Sequence, residues 1–281
     1  MIQRSASEKR YNMDARPIGV FDSGLGGLTT VKKLAEFLPG EDIIYLGDTG
    51  RVPYGSRSKE TIIKYARQDA AFLAGFDIKA MVIACNTVSS AAYAILDDIY
   101  GMPVFEVIRA PALAAVKATS NGRIGVIGTA ATIRSGAYDA AINKIDPNLE
   151  VFSAQCPLFV PLAENGRTGV TDVAARAIAD DYLSGLRDSG VDTLILGCTH
   201  YPLLRGVISH VMGPDVVLID SGAETAMQVA GELTSRGMLA PAGAEGAARY
   251  FVTDSIEGFS ALASIFLESE VRGLVEQISL E

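Results

Sequence analysis

The chain has 281 residues, of which 49% are hydrophobic and 20% charged, and its formal net charge is −9. This length favours two domains over one. An acidic balance without a block of basic residues argues against nucleic acid or an anionic membrane as the main partner. The first sixteen residues are polar and lack the apolar stretch of a secretory signal, so we expect a cytoplasmic protein that has no membrane segment.

The chain contains three cysteines, Cys85, Cys156 and Cys198, and two histidines. The cysteines are odd in number, widely spaced and without a CxxC pair, which fits neither a disulfide framework nor a zinc site. We therefore expect free thiols and no metal. Cys156, within "FSAQCPLF", has no polar context and is predicted to lie in the core.

In chain order, short apolar runs alternate with longer amphipathic segments, the pattern of βαβ units and mainly parallel sheets. In the first helix Leu28, Val31 and Leu34 recur at helical spacing, and Pro39-Gly40 ends it. Strands are predicted at about 18–21, 43–46, 80–84, 104–107, 124–128, 151–155, 193–197, 216–219 and 249–253. Further helices are predicted at about 59–74, 88–100, 131–144, 171–188, 223–236 and 256–268.

Two stretches of the chain resemble each other. "IGVFDSG" begins at Ile18 and "IGVIGTA" at Ile124, and the cysteines Cys85 and Cys198 have a similar separation. We predict an α/β fold of two pseudosymmetric domains with mostly parallel sheets, and a site in the cleft between them, because ligands bind at the carboxyl ends of parallel strands. The predicted domains are residues 1–109 with 218–281, and residues 110–217; residues 1–16 form an N-terminal extension. After residue 221 we expect one more strand, packed onto the first domain.

Two of the cysteines, Cys85 and Cys198, each end an apolar run where a strand gives way to a helix. One such cysteine alone is typical of a small buried hydrophobe. A pair at equivalent positions favours catalysis, because backbone N–H groups and the helix dipole can stabilise a thiolate and lower its pKa. Polar residues follow both, namely Asn86 and Thr87 after the first and Thr199 and His200 after the second.

The Gly-rich turn "FDSGLGG", residues 21–27, follows the first strand. It matches neither GxGxxG nor a P-loop, so it is a weak phosphate signal. Backbone N–H groups with Ser23 suit a carboxylate as well as a phosphate. Asp22 adds a negative charge, which suits an ammonium group or an acid/base partner; a simple helix cap is equally compatible with this stretch.

Two further loops supply candidate site residues. "GDTGRVPYG", residues 47–55, places Tyr54 and Gly55 after the second strand, either as walls of the site or as a plain connection. His200 lies two residues from a cysteine and can assist proton transfer, although a lone histidine is more often structural. The pattern around Glu164 alone would not select that residue.

Six motifs in order, "IGVFDSGLGGLT", "PYG", "ACNTVSSAA", "GVIGTAATIRSGAY", "VPLAENG" and "LGCTHYPLL", resemble bacterial glutamate racemases. The resemblance runs from Pro17 almost to the end of the chain. It implies a cofactor-independent racemase of two pseudosymmetric α/β domains that makes D-glutamate for peptidoglycan; we also expect a homodimer. The roles implied are Cys85 and Cys198 as catalytic thiols, Asp22 assisting the first, His200 and Glu164 assisting the second, and Ser23, Tyr54, Gly55, Asn86, Thr87 and Thr199 lining the substrate site.

Such a reaction accounts for paired thiols. Inverting a stereocentre requires that one group remove the α-proton and another deliver a proton to the opposite face. Two departures from the family stand out: Arg109 replaces a frequent acidic residue before proline, and the residues ahead of Pro17 exceed those of the shortest members. Two alternatives remain open, a racemase for aspartate or a hydantoin, and a non-catalytic two-domain binder of a small carboxylate.

Overall fold

The computed structural model describes residues 13–280, and this part of the chain forms two sheets in which all strand pairs are parallel. The predicted α/β class is confirmed. The six-stranded sheet, in the order β10-β9-β2-β1-β3-β4, contains β1 (Ile18–Asp22), β2 (Ile43–Gly47), β3 (Ala80–Ile83), β4 (Val104–Glu106), β9 (Ala248–Val252) and β10 (Val275–Gln277). The four-stranded sheet, in the order β6-β5-β7-β8, contains β5 (Arg123–Gly128), β6 (Glu150–Gln155), β7 (Thr193–Gly197) and β8 (Val217–Asp220).

Equivalent strands stand at the centre of both sheets. The "IGV" strand of the first sheet, β1, pairs with β2 and β3, and its counterpart β5 pairs with β6 and β7. Phe21 lies opposite Ile83 in the first sheet, and Gly128 lies opposite Gly197 in the second. The strand that leads to each cysteine is therefore the direct neighbour of an "IGV" strand, as the internal resemblance predicts.

Helices cover both faces of both sheets, which explains why the central strands are apolar on both sides. On the six-stranded sheet one core contains residues of α1, α10 and α11, and the other contains residues of α2 and α3. On the four-stranded sheet, α4 and α6 pack on one face, and α7, α8 and α9 pack on the other. The helices are α1 (Leu28–Phe37), α2 (Lys59–Ala74), α3 (Asn86–Ile99), α4 (Arg109–Ala118), α5 (Ala130–Arg134), α6 (Ala137–Ile145), α7 (Phe159–Glu164), α8 (Val173–Asp188), α9 (Arg205–Met212), α10 (Ser221–Arg236) and α11 (Ile256–Leu267).

The chain passes from the first sheet to the second after β4 and returns after β8. At the first crossing the buried Glu106 carboxylate accepts hydrogen bonds from the backbone N–H groups of Ile108 and Arg109, at 2.6 and 3.0 Å. The Arg109 guanidinium lies over the ring of Tyr93, 4.4 Å from its centroid. The boundary that the sequence predicts at residue 217 falls at the start of β8, a strand of the second sheet. The division into domains 1–109 with 218–281 and 110–217 stays a prediction.

Some elements differ from the sequence-based expectation. The segment after residue 221 contains two strands instead of one, because the polar β10 adds to the edge of the sheet beside β9. The helix predicted at 131–144 is two helices, α5 and α6, separated at Gly136, whose φ of 65° favours glycine. Helices α4 and α7 were not predicted.

The N-terminal extension predicted for residues 1–16 lies mostly outside the described residues, which begin at Met13. Within the described part, the Asp14 carbonyl accepts a hydrogen bond of 2.6 Å from Nζ of the buried Lys79, which also pairs with Glu41. Across residues 13–280, no helix combines the length and the apolar character needed to cross a bilayer.

Candidate active site

The two candidate catalytic thiols lie at the carboxyl ends of strands that occupy corresponding places in the two sheets. Cys85 follows β3 and is the residue that precedes α3, and Cys198 follows β7 directly. Both side chains are buried, with 6% exposure. Cys156, at 0% exposure, lies in the core as predicted.

The loop after β7, which holds Cys198, meets the turn between β1 and α1 across the two sheets. The Thr29 hydroxyl, in the first turn of α1, donates a 3.0 Å hydrogen bond to the Thr199 carbonyl next to Cys198. A Cβ atom on Gly26 would collide with the Thr199 hydroxyl and lie 2.5 Å from Nδ1 of His200. Glycine at this position of "FDSGLGG" therefore lets the first half approach the second at the site.

Two polar residues surround Cys85, the uncharged Ser23 and the acidic Asp22. Its thiol donates to the Ser23 hydroxyl at 3.4 Å. Burial and then the charge of Asp22 raise the pKa of Cys85 to about 12, against weaker opposing hydrogen bonds from Ser23 and the Val88 backbone. The expectation that the helix N-terminus lowers this pKa is therefore wrong for the described state, because desolvation outweighs the backbone donors. Cys85 is a protonated thiol here.

Asp22 ends strand β1 and is 1% exposed. Its Oδ2 accepts a hydrogen bond from the Gly24 backbone at 3.0 Å, while Oδ1 has no partner among the described residues. Burial raises the pKa of Asp22, and the charge of His200 opposes that rise. A buried carboxylate oxygen without a partner can accept a proton or contact an ammonium group.

The environment of Cys198 is cationic. Its Sγ lies 3.9 Å from Nδ1 of His200, and Nε2 of the same imidazole lies 3.1 Å from Oε1 of Glu164. Burial lowers the pKa of His200, but the hydrogen bonds with Cys198 and Glu164 and the charges of Cys198 and Asp22 outweigh it and raise that pKa to about 10. Phe266 packs edge-on against the ring, with centroids 5.2 Å apart. An imidazolium so placed stabilises negative charge that develops on the Cys198 sulfur.

Hydroxyl and amide groups form the part of the site between the sheets. Asn86 donates 3.2 Å to the Val107 carbonyl and 2.8 Å to the Tyr138 hydroxyl, and its buried Oδ1 has no partner among the described residues. Thr87 Oγ1 lies 2.9 Å from Thr129 Oγ1.

The same set of hydrogen-bonded side chains includes three residues that were not predicted from the sequence, Thr129, Thr132 and Tyr138. A signal was present for one of them, because Thr129 directly follows β5, at the same edge of the second sheet as Cys198.

The loop candidates Tyr54 and Gly55 are placed differently from one another. Gly55 faces the second half: its carbonyl accepts 3.0 Å from the Ala131 N–H, and a Cβ there would lie 2.9 Å from Cβ of Thr129. The Tyr54 ring is buried, and its hydroxyl is turned to Asp48 and Asp69. The Tyr54 side chain is therefore not grouped with the thiols.

Comparison with known proteins places the chain in a family. Residues 19–229 match the family model described as Asp/Glu/Hydantoin racemase. A glutamate racemase from Geobacter metallireducens is 49% identical over 269 residues, which is 96% of this chain and 98% of the relative. The chain belongs to the glutamate racemase family.

Solved structures of the family agree with this fold. A glutamate racemase isoform from Bacillus anthracis has a TM-score of 0.89 at 39% identity, over 94% of this chain and 98% of that one. The glutamate racemase of Francisella tularensis, solved in complex with D-glutamate, has a TM-score of 0.88 at 41% identity, over 95% of this chain and 99% of that one.

Two surface cavities of this family member lie away from the thiols. A surface cavity of about 330 Å³ lies between α1 and the segment around Ser269–Arg272, and another of about 540 Å³ lies between α8 and α9. Neither is lined by a thiol. The paired cysteines with their acid/base partners lie instead where the two sheets meet.

Proposed function

We propose that this protein interconverts L- and D-glutamate with two thiols, Cys85 and Cys198, that flank the substrate carbon, one of which removes the α-proton while the other donates its own proton to the opposite face. The observation that supports this most strongly is the pair of buried thiols at corresponding strand ends, each beside a different acid/base group. Asp22 and Ser23 accompany Cys85, and His200 and Glu164 accompany Cys198.

Two proton transfers invert the substrate, and exchange of the thiol protons with water then restores the starting enzyme. A thiolate takes the proton from Cα and becomes a thiol, and the bond electrons stay on the substrate as a carbanion. The opposite thiol then gives its proton to the other face of Cα and becomes a thiolate. In one direction the sulfur of Cys198, beside His200, is the base, and Cys85, whose pKa is raised by burial, is the acid. The reverse reaction exchanges these roles.

The remaining candidates suit the substrate's charged groups. Hydroxyl and amide groups of Ser23, Asn86, Thr87 and Thr199 are hydrogen-bond donors suited to carboxylates and to the enolate-like charge of the carbanion. The unpartnered Oδ1 atoms of Asp22 and Asn86 are acceptors suited to the ammonium group. Gly55 supplies backbone at the wall, and exclusion of water between the halves protects the carbanion.

A racemase for another acidic amino acid is the competing proposal, since the family model includes aspartate and hydantoin racemases. The relatives at 39–49% identity that are named glutamate racemase favour glutamate. Competition of L-aspartate with L-glutamate in one assay separates the two substrates.

We further propose that the product D-glutamate serves peptidoglycan synthesis in the cytoplasm and that the enzyme acts as a homodimer. Three buried free thiols suit a reducing compartment. Sedimentation of the purified protein tests the dimer, and depletion of the protein in growing cells, rescued by added D-glutamate, tests the role.

The direct test is proton NMR of L-glutamate with reduced enzyme in D₂O, without added cofactor. We expect the α-proton signal to disappear and both enantiomers to accumulate to equal amounts. No exchange with folded protein would contradict the proposal and favour another substrate or a binding function.

A further inference from the structure

Beside the thiols, the molecule contains a buried polar cluster that the proton transfers do not use. We propose that Asp48, Arg51, Tyr54 and Asp69, called here the Asp48–Asp69 network, are positioning residues that hold residues 48–55 against the site and so set the affinity for substrate. This inference rests on the proposed function.

The Asp48–Asp69 network links the end of β2 to helix α2. Arg51 donates through Nε to Asp48 at 2.6 Å and through Nη2 to Asp69 at 2.9 Å. The Tyr54 hydroxyl lies between the same two carboxyl groups, bonded to Asp48 and 3.3 Å from Oδ2 of Asp69. Both aspartates have 0% exposure. Four side chains from one loop and one helix thus share a single set of hydrogen bonds.

The charges of this network balance only if one carboxyl group holds a proton. One guanidinium faces two buried carboxyl groups, and an uncompensated buried charge is costly. Burial, then the charges of Asp48 and Asp22, raise the pKa of Asp69 well above its usual range, against Arg51 and the Tyr54 hydroxyl. A phenol has one proton, so the Tyr54 hydroxyl donates to one of the two carboxyl groups at a time, Asp48 or Asp69.

Both ends of the loop that this network holds reach the site. At the start, the Asp48 N–H donates 3.0 Å to the carbonyl of Asp22. At the end, Gly55 follows Tyr54 directly and accepts from Ala131 of the second half. Thr129, against which Gly55 packs, bonds the hydroxyl of Thr87, two residues after Cys85. The loop is therefore a wall that joins the two halves beside the thiols.

Loss of the Asp48–Asp69 network should weaken substrate binding without unfolding the protein. Helix α2 is also fixed to the sheet by an apolar core that includes Ile62, Ala66 and Leu73, so loosening the polar network leaves the fold in place. Among residues 13–280, the hydrogen bonds of the network's side chains reach neither thiol nor His200, so the chemical step does not depend on it directly. Loss of the network should therefore raise KM and spare kcat.

The first experiment removes the hydroxyl at the centre of the network. Tyr54→Phe should raise KM for glutamate about tenfold in both directions and leave kcat within about twofold. Tyr65→Phe is the matched control, because the Tyr65 ring lies against Tyr54 and Arg51, at 5.4 and 4.2 Å, through its face rather than its hydroxyl. The control should keep the wild-type KM.

A conservative exchange separates positioning from bulk stability. Asp69→Asn keeps the shape of the side chain and an oxygen that can accept from Arg51 or Tyr54, so its KM should stay within about twofold of wild type. Asp69→Ala should raise KM as Tyr54→Phe does. If Tyr54→Phe does not fold, the milder Thr253→Val, which removes a 2.8 Å bond to Asp48, should raise KM about threefold.

The outcomes are decisive for this inference and separate from those for the proposed function. A wild-type KM in Tyr54→Phe, a loss confined to kcat, or an Asp69→Asn enzyme as impaired as Asp69→Ala would overturn the inference. Racemisation by the wild type in the same assay would leave the proposed function intact in each of these cases. Absence of racemisation by the wild type would instead overturn the proposed function.

Discussion

The surroundings of Cys85 and Cys198 differ far more than their positions do. Both thiols end a strand next to the central strand of a parallel sheet, and both are 6% exposed. Cys85, however, lies near the carboxyl group of Asp22, whereas Cys198 lies 3.9 Å from an imidazole. A repeated backbone therefore holds two sites of opposite electrostatic character.

This difference shows that a reaction between two enantiomers of equal free energy can use two thiols with unlike neighbours. Burial and then the charge of Asp22 raise the pKa of Cys85, whereas the group beside Cys198 is an imidazole whose own pKa is raised to about 10. The charge of His200 also reaches Asp22, so the two partner groups, from different sheets, influence each other.

The largest expected effect comes from removing either thiol. Cys85→Ala and Cys198→Ala should each lower kcat by at least about 10³-fold, because each stereochemical inversion needs both groups. Cys156→Ala is the matched control: this thiol is equally buried but lies in the core of the second sheet, and turnover should persist. Circular dichroism would verify folding. Near-full turnover in either active-site variant would rule out the two-thiol scheme.

Replacing Asp22 or His200, the group beside each thiol, should have a smaller effect on kcat. Asp22→Asn and His200→Gln should each lower kcat by about 10²-fold in the more affected direction. The enantiomers have equal free energies in water, so kcat/KM must fall by the same factor in both directions for any variant. The separate kcat values are free to differ, and we expect Asp22→Asn to slow one direction more and His200→Gln to slow the opposite one more.

Measurement of kcat from L-glutamate and from D-glutamate for both variants checks this directional difference. The wild-type ratio of the two kcat values is the reference. If both variants slow the same direction more, then Asp22 and His200 do not serve different thiols.

Much of this arrangement could be predicted from the sequence because strand ends in parallel sheets converge. Cys85, Cys198 and His200 each follow an apolar run, so their place at one edge of a sheet follows from the βαβ pattern. Glu164 lies 36 residues from His200 along the chain, and no periodicity links an α7 carboxylate to that imidazole. Only the resemblance to a known family selected it.

Other elements lacked a readable local signal. Helix α4 begins at Arg109 and contains Pro111, a residue tolerated in a first turn but more often a sign of a loop. Strand β10, "VEQ", is short, polar and only partly buried at a sheet edge, so it shows no apolar run. The orientation of Tyr54 depends on Asp69, which is fifteen residues further on, and on burial that sequence pattern does not reveal.

The smallest expected effect is on the free energy of unfolding, through the charge of His200 beside Cys198. The pKa of His200 is raised to about 10 in the folded protein, above the value of about 6.5 in an unfolded chain. The stabilisation that follows is fully present below about pH 6.5 and is lost as pH rises towards 10. The free energy of unfolding of wild type minus that of His200→Gln should therefore shrink by about 1–3 kcal/mol between pH 6 and pH 10.

Urea unfolding of the wild type and His200→Gln at pH 6, 8 and 10 measures this difference. Glu164→Gln sharpens the test, since it removes a carboxylate that raises the pKa of His200, so the loss of stability in that variant should be smaller and should end at lower pH. A wild-type advantage that stays constant from pH 6 to pH 10 would mean that His200 gains no charge on folding. The cationic half of the contrast between the two thiols would then be absent, and Cys198 would need another group to stabilise its anion.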